Sequence, residues 1–94
     1  MNTKIIVTTT INKPTKATFE FCKKKEFDFV IIGDLKTPHE EYLNLEKQYS
    51  NLKYIHPDEQ KKLYPNLSEA IGWNCIQRRS IGFVYAYQNN YEII

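Results

Sequence analysis

The sequence predicts a three-layer α/β/α sandwich around a mostly parallel sheet, and three observations carry that expectation. Residues 4–9 (KIIVTT) and 27–32 (FDFVII) are short, β-branched runs that are apolar on both faces, as buried parallel strands are. Segments with helical spacing separate the strand candidates, and strictly alternating strands and helices build such sandwiches. The whole chain, 94 residues, fits one domain (1–94) and leaves no room for a second.

Each element follows from local chemistry. After the first strand, residues 10–13 are polar enough for a loop. Pro14 then suits the first turn of a helix, where its missing N–H is not needed. That helix is expected to run to about residue 25, with Ala17, Phe21 and Cys22 on one face. The second strand closes at Gly33-Asp34, so the order is strand, helix, strand, a parallel crossover. Residues 35–39 form a loop, because Pro38 disfavours helix at Thr37. A helix over 40–49 carries Tyr42, Leu45 and Tyr49, and residues 52–55 make a brief third strand. Pro57 opens a charged helical segment over 58–63, and residues 66–69 offer another cap. The last long helix is expected over 73–87, with Ile76, Ser80, Phe83, Val84 and Tyr87 on one face. Gly82 within it costs about 1 kcal/mol relative to Ala, which a close packing contact would explain. Asn89-Asn90 makes a turn, and residues 91–94 begin a further strand that stops in mid-pattern.

Composition narrows the function. Hydrophobic residues make up 41% of the chain, and seven Tyr, five Phe and one Trp give large rings much of the core. Thirteen basic against eleven acidic residues leave a net charge of +2, too weak to argue for nucleic acid or an anionic membrane. Lys23-Lys24-Lys25 follows a helix end, where cations complement the dipole without any ligand. No apolar stretch is long enough for a signal or a membrane span. Cys22 and Cys75 have no metal spacing and read as thiols in a reducing compartment. The expected location is cytoplasmic.

Sheets of this kind bind ligands outside the carboxyl ends of their strands, here the loops 9–13 and 33–38. With three glycines and no G-x-G-x-x-G or Walker loop, the usual dinucleotide and P-loop sites are excluded. His39 and His56 lie in separate loops without partners at metal spacing. No nucleophile–base pair can be assembled from local sequence. Asp34, after a buried strand and Gly33, suits either a ribose or base contact or a cap on its own turn. Consecutive helical residues point about 100° apart, so Arg78 and Arg79 cannot share one stripe. By its spacing from Ile76 and Phe83, Arg79 sits nearer the apolar face, where its fork could clamp a diphosphate or pair with a core-edge carboxylate.

Three strings occur in order: Val7-Thr8-Thr9-x-Ile11-Asn12-x-Pro14-Thr15, then Ile31-Ile32-Gly33-Asp34-x-Lys36-Thr37-Pro38, then Trp73-Asn74-x-x-Gln77-Arg78-Arg79-x-Ile81-Gly82-x-x-Tyr85-Ala86. Together they resemble the STELLO-like family of glycosyltransferases over nearly the whole chain. The resemblance implies the Rossmann-like front half of a GT-A fold, which binds a nucleoside diphosphate sugar. It places Thr9, Thr10 and Asn12 against the nucleotide, Asp34 at the base or ribose, and Arg78 and Arg79 toward the donor. Lys36 shares the loop of Asp34. In the family the strand that 91–94 begins runs on into clustered Asp residues, which bind a divalent metal such as Mn or Mg. The chain stops before that motif and lacks the acceptor half. The expectation is therefore a nucleotide-binding half-domain with no catalytic residues and no metal of its own, inactive alone. The alternative is an interaction module that self-associates or pairs with a complementary C-terminal half.

Overall fold

A computed structural model describes residues 3–73 and 75–93, leaving outside the expected positions of Asn74, Ile94 and the Ile76 side chain. It is a Rossmann-like α/β fold. Four strands, β1 (Lys4–Thr10), β2 (Asp28–Gly33), β3 (Leu52–Ile55) and β4 (Glu92–Ile93), form one sheet in the order β3-β2-β1-β4. Every pairing is parallel. β1 pairs with β2 from Ile5↔Asp28 to Thr10↔Gly33, whereas β4 meets β1 only at Lys4↔Glu92 and Ile5↔Ile93.

Alternation along the strands sorts the core into two layers. Phe29 and Ile31 lie in a cluster with Leu52 and Tyr54 of β3, Cys22 of α1 (Lys16–Lys23) and Tyr42 and Leu45 of α2 (His39–Gln48). Ile5, Val30, Ile32 and Ile55 face the opposite cluster, where Ile81 and Ala86 of α5 (Arg79–Gln88) pack with Leu67 and Ile71 of α4 (Pro65–Ile71). The helix α3 (Pro57–Leu63) packs on α4. Helices thus cover both faces, as the sequence predicts.

Three elements differ from expectation: residues 66–69, read as a cap, lie within the helix α4, and two helices change in extent. α1 starts at Lys16 because Thr15 caps it: the Thr18 N–H donates to the Thr15 hydroxyl, while the Thr15 N–H donates to that of Thr18. Pro14 therefore lies outside the helix. The long helix expected over 73–87 is shorter. Gly72, at a positive φ of 79° that residues with side chains rarely adopt, ends α4, and one 3-10 turn (Ile76–Arg78) precedes α5.

The buried face of α5 is also different, made of Ile81, Gly82 and Ala86 rather than Phe83 and Tyr87, which are exposed. Small residues let the helix approach the sheet. A Cβ on Gly82 would run into Val7 Cγ1 and lie 3.1 Å from Ile32 Cγ1. Packing distance, not side-chain hydrophobicity, chose the face.

Candidate functional site

The chain runs outward from β1 through β2 to β3, then returns to place β4 on the other side of β1. That reversal puts the topological switch point beside β1, where sheets of this class form their ligand crevice. Beyond the carboxyl end of β1 the chain must cross to α1, and Asn12 is held there by Tyr42, whose hydroxyl donates to the Asn12 carbonyl at 2.7 Å. The Asn12 N–H donates to the Thr10 hydroxyl at 3.0 Å.

Under this loop lies a cavity of about 340 Å³ between β1, β2 and α1. Ile6, Phe29 and Ile31 make its floor, and Phe21 of α1 stands at its side. Its polar lining includes Thr8, Thr10, Asn12, Thr15, Thr18 and Tyr42, with Lys13 the one charged residue among the described lining; Thr9 also lines it, its hydroxyl donating to the Ile32 carbonyl at 2.7 Å. An apolar floor with a few convergent hydrogen-bonding groups is how small-molecule sites are built, and the volume falls in their usual range of roughly 300–1,000 Å³. Thr9, Thr10 and Asn12 all line this cavity.

Asp34 lies next door and is buried, but its carboxylate is engaged within the fold. Oδ1 accepts the Leu35 N–H at 2.7 Å, and Oδ2 accepts the Cys75 N–H at 3.2 Å. Of the two roles open to it, capping its own turn is the one the geometry displays. Thr37 completes the turn: its hydroxyl accepts the Asp34 N–H at 2.8 Å and donates to the Thr10 carbonyl at 2.6 Å. The ends of β1 and β2 are thereby latched together. Lys36, in the same loop, is exposed.

The two arginines exchange the places that spacing predicts for them. Arg78 is wholly buried and Arg79 is exposed, its guanidinium 5.6 Å from the ring centre of Phe83. The physical reason is the 3-10 turn, which resets the helical phase before α5 and aims Arg78 inward. Its Nη1 donates to the carbonyls of Ser68 (2.7 Å) and Gly72 (3.1 Å), and its Nη2 donates to Ser68 Oγ (2.9 Å) and Gln60 Oε1. The Trp73 ring stacks on it, with Cζ 3.7 Å from the ring centre. Burial lowers the Arg78 pKa, while the nearby Asp34 carboxylate opposes that shift. Gln60 in turn donates to the carbonyls of Gly33 (2.6 Å) and Ile55 (3.0 Å). Arg78 thus ties α3, α4 and α5 to the ends of β2 and β3, on the face opposite the cavity. It is a structural hub, and a donor-clamping role for Arg79 has no geometric support.

One cluster escapes sequence reasoning. His39 and His56, 17 positions apart, bring their rings to 4.2 Å between centroids. Each opens a helix at a strand end: His39 begins α2, and His56 Nδ1 accepts the Asp58 N–H to cap α3. The Tyr54 hydroxyl meets His39 Nδ1 at 2.5 Å and presses against Gly33, where a Cβ would collide with it. Only the pairing of β2 with β3 makes these residues neighbours. Among the described residues no three His, Cys, Asp or Glu side chains converge as metal ligands would, and no helix is long and apolar enough to cross a membrane.

A scan of protein-family models and a search of curated proteins both return no match for this chain.

Proposed function

We propose that this chain is a nucleotide-binding half-domain of the glycosyltransferase-like kind, taking a nucleoside diphosphate or its sugar ester at the carboxyl end of β1. The carrying observation is the cavity of about 340 Å³ that gathers Thr9, Thr10, Asn12 and Lys13 at the carboxyl end of β1, between β1, β2 and α1. Threonine hydroxyls and an asparagine can donate to and accept from ribose and base edges, and Lys13 supplies the cation that a phosphate needs. Asp34 and Thr37 serve this site by holding the two loops, and Arg78 serves it by holding the strand ends. The proposed role is binding, and no catalytic step is assigned to the residues of this chain.

Titration calorimetry with uridine and adenosine diphosphates tests the proposal. The expected dissociation constant is about 1 mM or tighter, equivalent to roughly −4 kcal/mol. Thr8→Val, which removes a cavity hydroxyl and keeps the shape, should weaken binding several-fold. Arg79→Ala should leave it unchanged. No heat from either nucleotide at several times that concentration would sink the reading.

A second reading has its own observation. Phe83 and Tyr87 stand one turn apart on the outer face of α5, 38% and 83% exposed, in line with Arg79. Aromatic residues and Arg are the side chains enriched at interface centres. This supports a module that pairs with a second copy or with a complementary half. Sedimentation across a wide concentration range checks it: Tyr87→Ser should raise the dissociation constant of any assembly, and a strict monomer at every concentration removes self-association.

A further inference from the structure

We infer that α1 is a hinged cover on the cavity, and that the flat ring of the bound nucleotide enters beneath it. The identity of the ring rests on the nucleotide reading above, and the hinge rests on an asymmetry in how α1 is held. Its carboxyl end is fixed. Cys22 is fully buried in the cluster with Phe29, Tyr42 and Leu45. Just beyond it, the buried Asn51 donates through Nδ2 to the carbonyls of Lys24 (3.3 Å) and Phe27 (3.1 Å). Its amino end is held differently. The Thr15 and Thr18 hydrogen bonds close on each other, and Lys16 and Ala17 are exposed where the helix spans the cavity. Of the eight residues of α1, Cys22 alone is buried.

The dimensions suit a small swing. Lys16 lies six residues from Cys22, about 9 Å at 1.5 Å per residue, so a tilt of about 20° about the Cys22 end lifts the start of the helix by about 3 Å. That displacement is close to the separation of roughly 3.5–4 Å at which carbon surfaces meet, so a modest tilt admits one aromatic layer. Phe21 is already placed to receive it. The residue is 39% exposed at the cavity wall and meets Phe29 edge-on, with ring centres 5.7 Å apart at 61°. A ring inserted there would stack on phenylalanine and present its polar edge to Thr8, Thr10 and Thr18. No carboxylate is among the described residues that line the cavity, so nothing there repels a ligand whose other end carries phosphate.

Native-state hydrogen exchange on the intact chain, with and without uridine diphosphate, tests both parts. Without nucleotide, the amides of Phe19, Glu20 and Phe21 should exchange through an opening almost independent of urea. Those of Val30 and Ile31 in β2 should need global unfolding. At saturating nucleotide the α1 amides should slow at least tenfold, and the base protons should show Overhauser contacts to the Phe21 and Phe29 rings. If the α1 amides share the urea dependence of β2, the hinge is overturned. If the nucleotide shifts Thr10 and Asn12 but neither slows α1 nor contacts Phe21, the cover is overturned and the nucleotide reading stands. If it shifts no amide, both fall.

Discussion

Replacing Arg78 by Met removes a buried hub while keeping a long apolar stem against Trp73. The guanidinium donates to Gln60 Oε1, Ser68 Oγ and the carbonyls of Ser68 and Gly72. The Ser68 carbonyl keeps the Gly72 N–H, at 3.3 Å, and the Ser68 hydroxyl can rotate. Gln60 Oε1 and the Gly72 carbonyl lose their main partner. At about 1–3 kcal/mol for each stranded acceptor, the loss comes to about 2–6 kcal/mol. Relief from burying a cation offsets part of it, leaving about 3 kcal/mol. A chain of 94 residues is stable by only about 5–14 kcal/mol, at roughly 0.05–0.15 kcal/mol per residue. With a urea slope of about 1–1.5 kcal/mol per molar, the midpoint should fall by about 2–3 M. Far-UV circular dichroism is the appropriate signal, because Trp73 fluorescence would also respond to loss of the stacked guanidinium. Arg79→Met, on an exposed side chain, should stay within about 0.5 kcal/mol of wild type. The reasoning is refuted if Arg78→Met unfolds within that margin, or if Arg79→Met is the costlier change.

Three further outcomes follow from neighbouring contacts. Gly82→Ala drives a methyl into Val7 and should cost about 1–3 kcal/mol in urea unfolding by pushing α5 off the sheet; a neutral or stabilising effect would contradict the close approach. Asp34→Asn keeps one acceptor but cannot satisfy both the Leu35 and Cys75 amides, so thermal unfolding should register a loss of about 1–3 kcal/mol, and an unchanged midpoint would contradict the latch. Burial, then the adjacent His56, lowers the pKa of His39 against the pull of Asp58. The unfolded chain takes up that proton near pH 6.5, so stability is full above this value and falls as the pH drops through it toward the lower folded value. His39→Gln should flatten that slope, and an unaltered slope from pH 7 to 5 would assign it elsewhere.

The sheet was legible because its strands are apolar on both faces and bounded by Gly, Pro and Asn, signals that are local in sequence. Residues 52–55 fall in β3 as predicted, and β1 and β2 shift by one residue at most. The stretch holding Thr9, Thr10 and Asn12 was legible only in part: it lies at a strand's carboxyl end, but β1 runs on through Thr10, so of the three only Asn12 sits in the loop. The arginines were not. Their phase depends on a 3-10 turn that no spacing rule anticipates, and Arg78 is satisfied by Gln60 and Ser68, which nothing in the sequence marks as partners. The face of α5 was misjudged because Phe83 and Tyr87 outweigh Gly82 and Ala86 in any hydrophobic count. Contact with Val7 favours the smaller pair. The meeting of His39 with His56 depends on strand pairing, which joins residues from separate loops.

Amide chemical-shift mapping with uridine diphosphate tests the proposed nucleotide site at the carboxyl end of β1. The account predicts that the largest movements fall on Thr9, Thr10, Asn12 and Lys13 and extend into α1, while Arg79, Phe83 and Tyr87 stay still. Movements confined to the outer face of α5, or a spectrum unmoved at millimolar nucleotide, would contradict it.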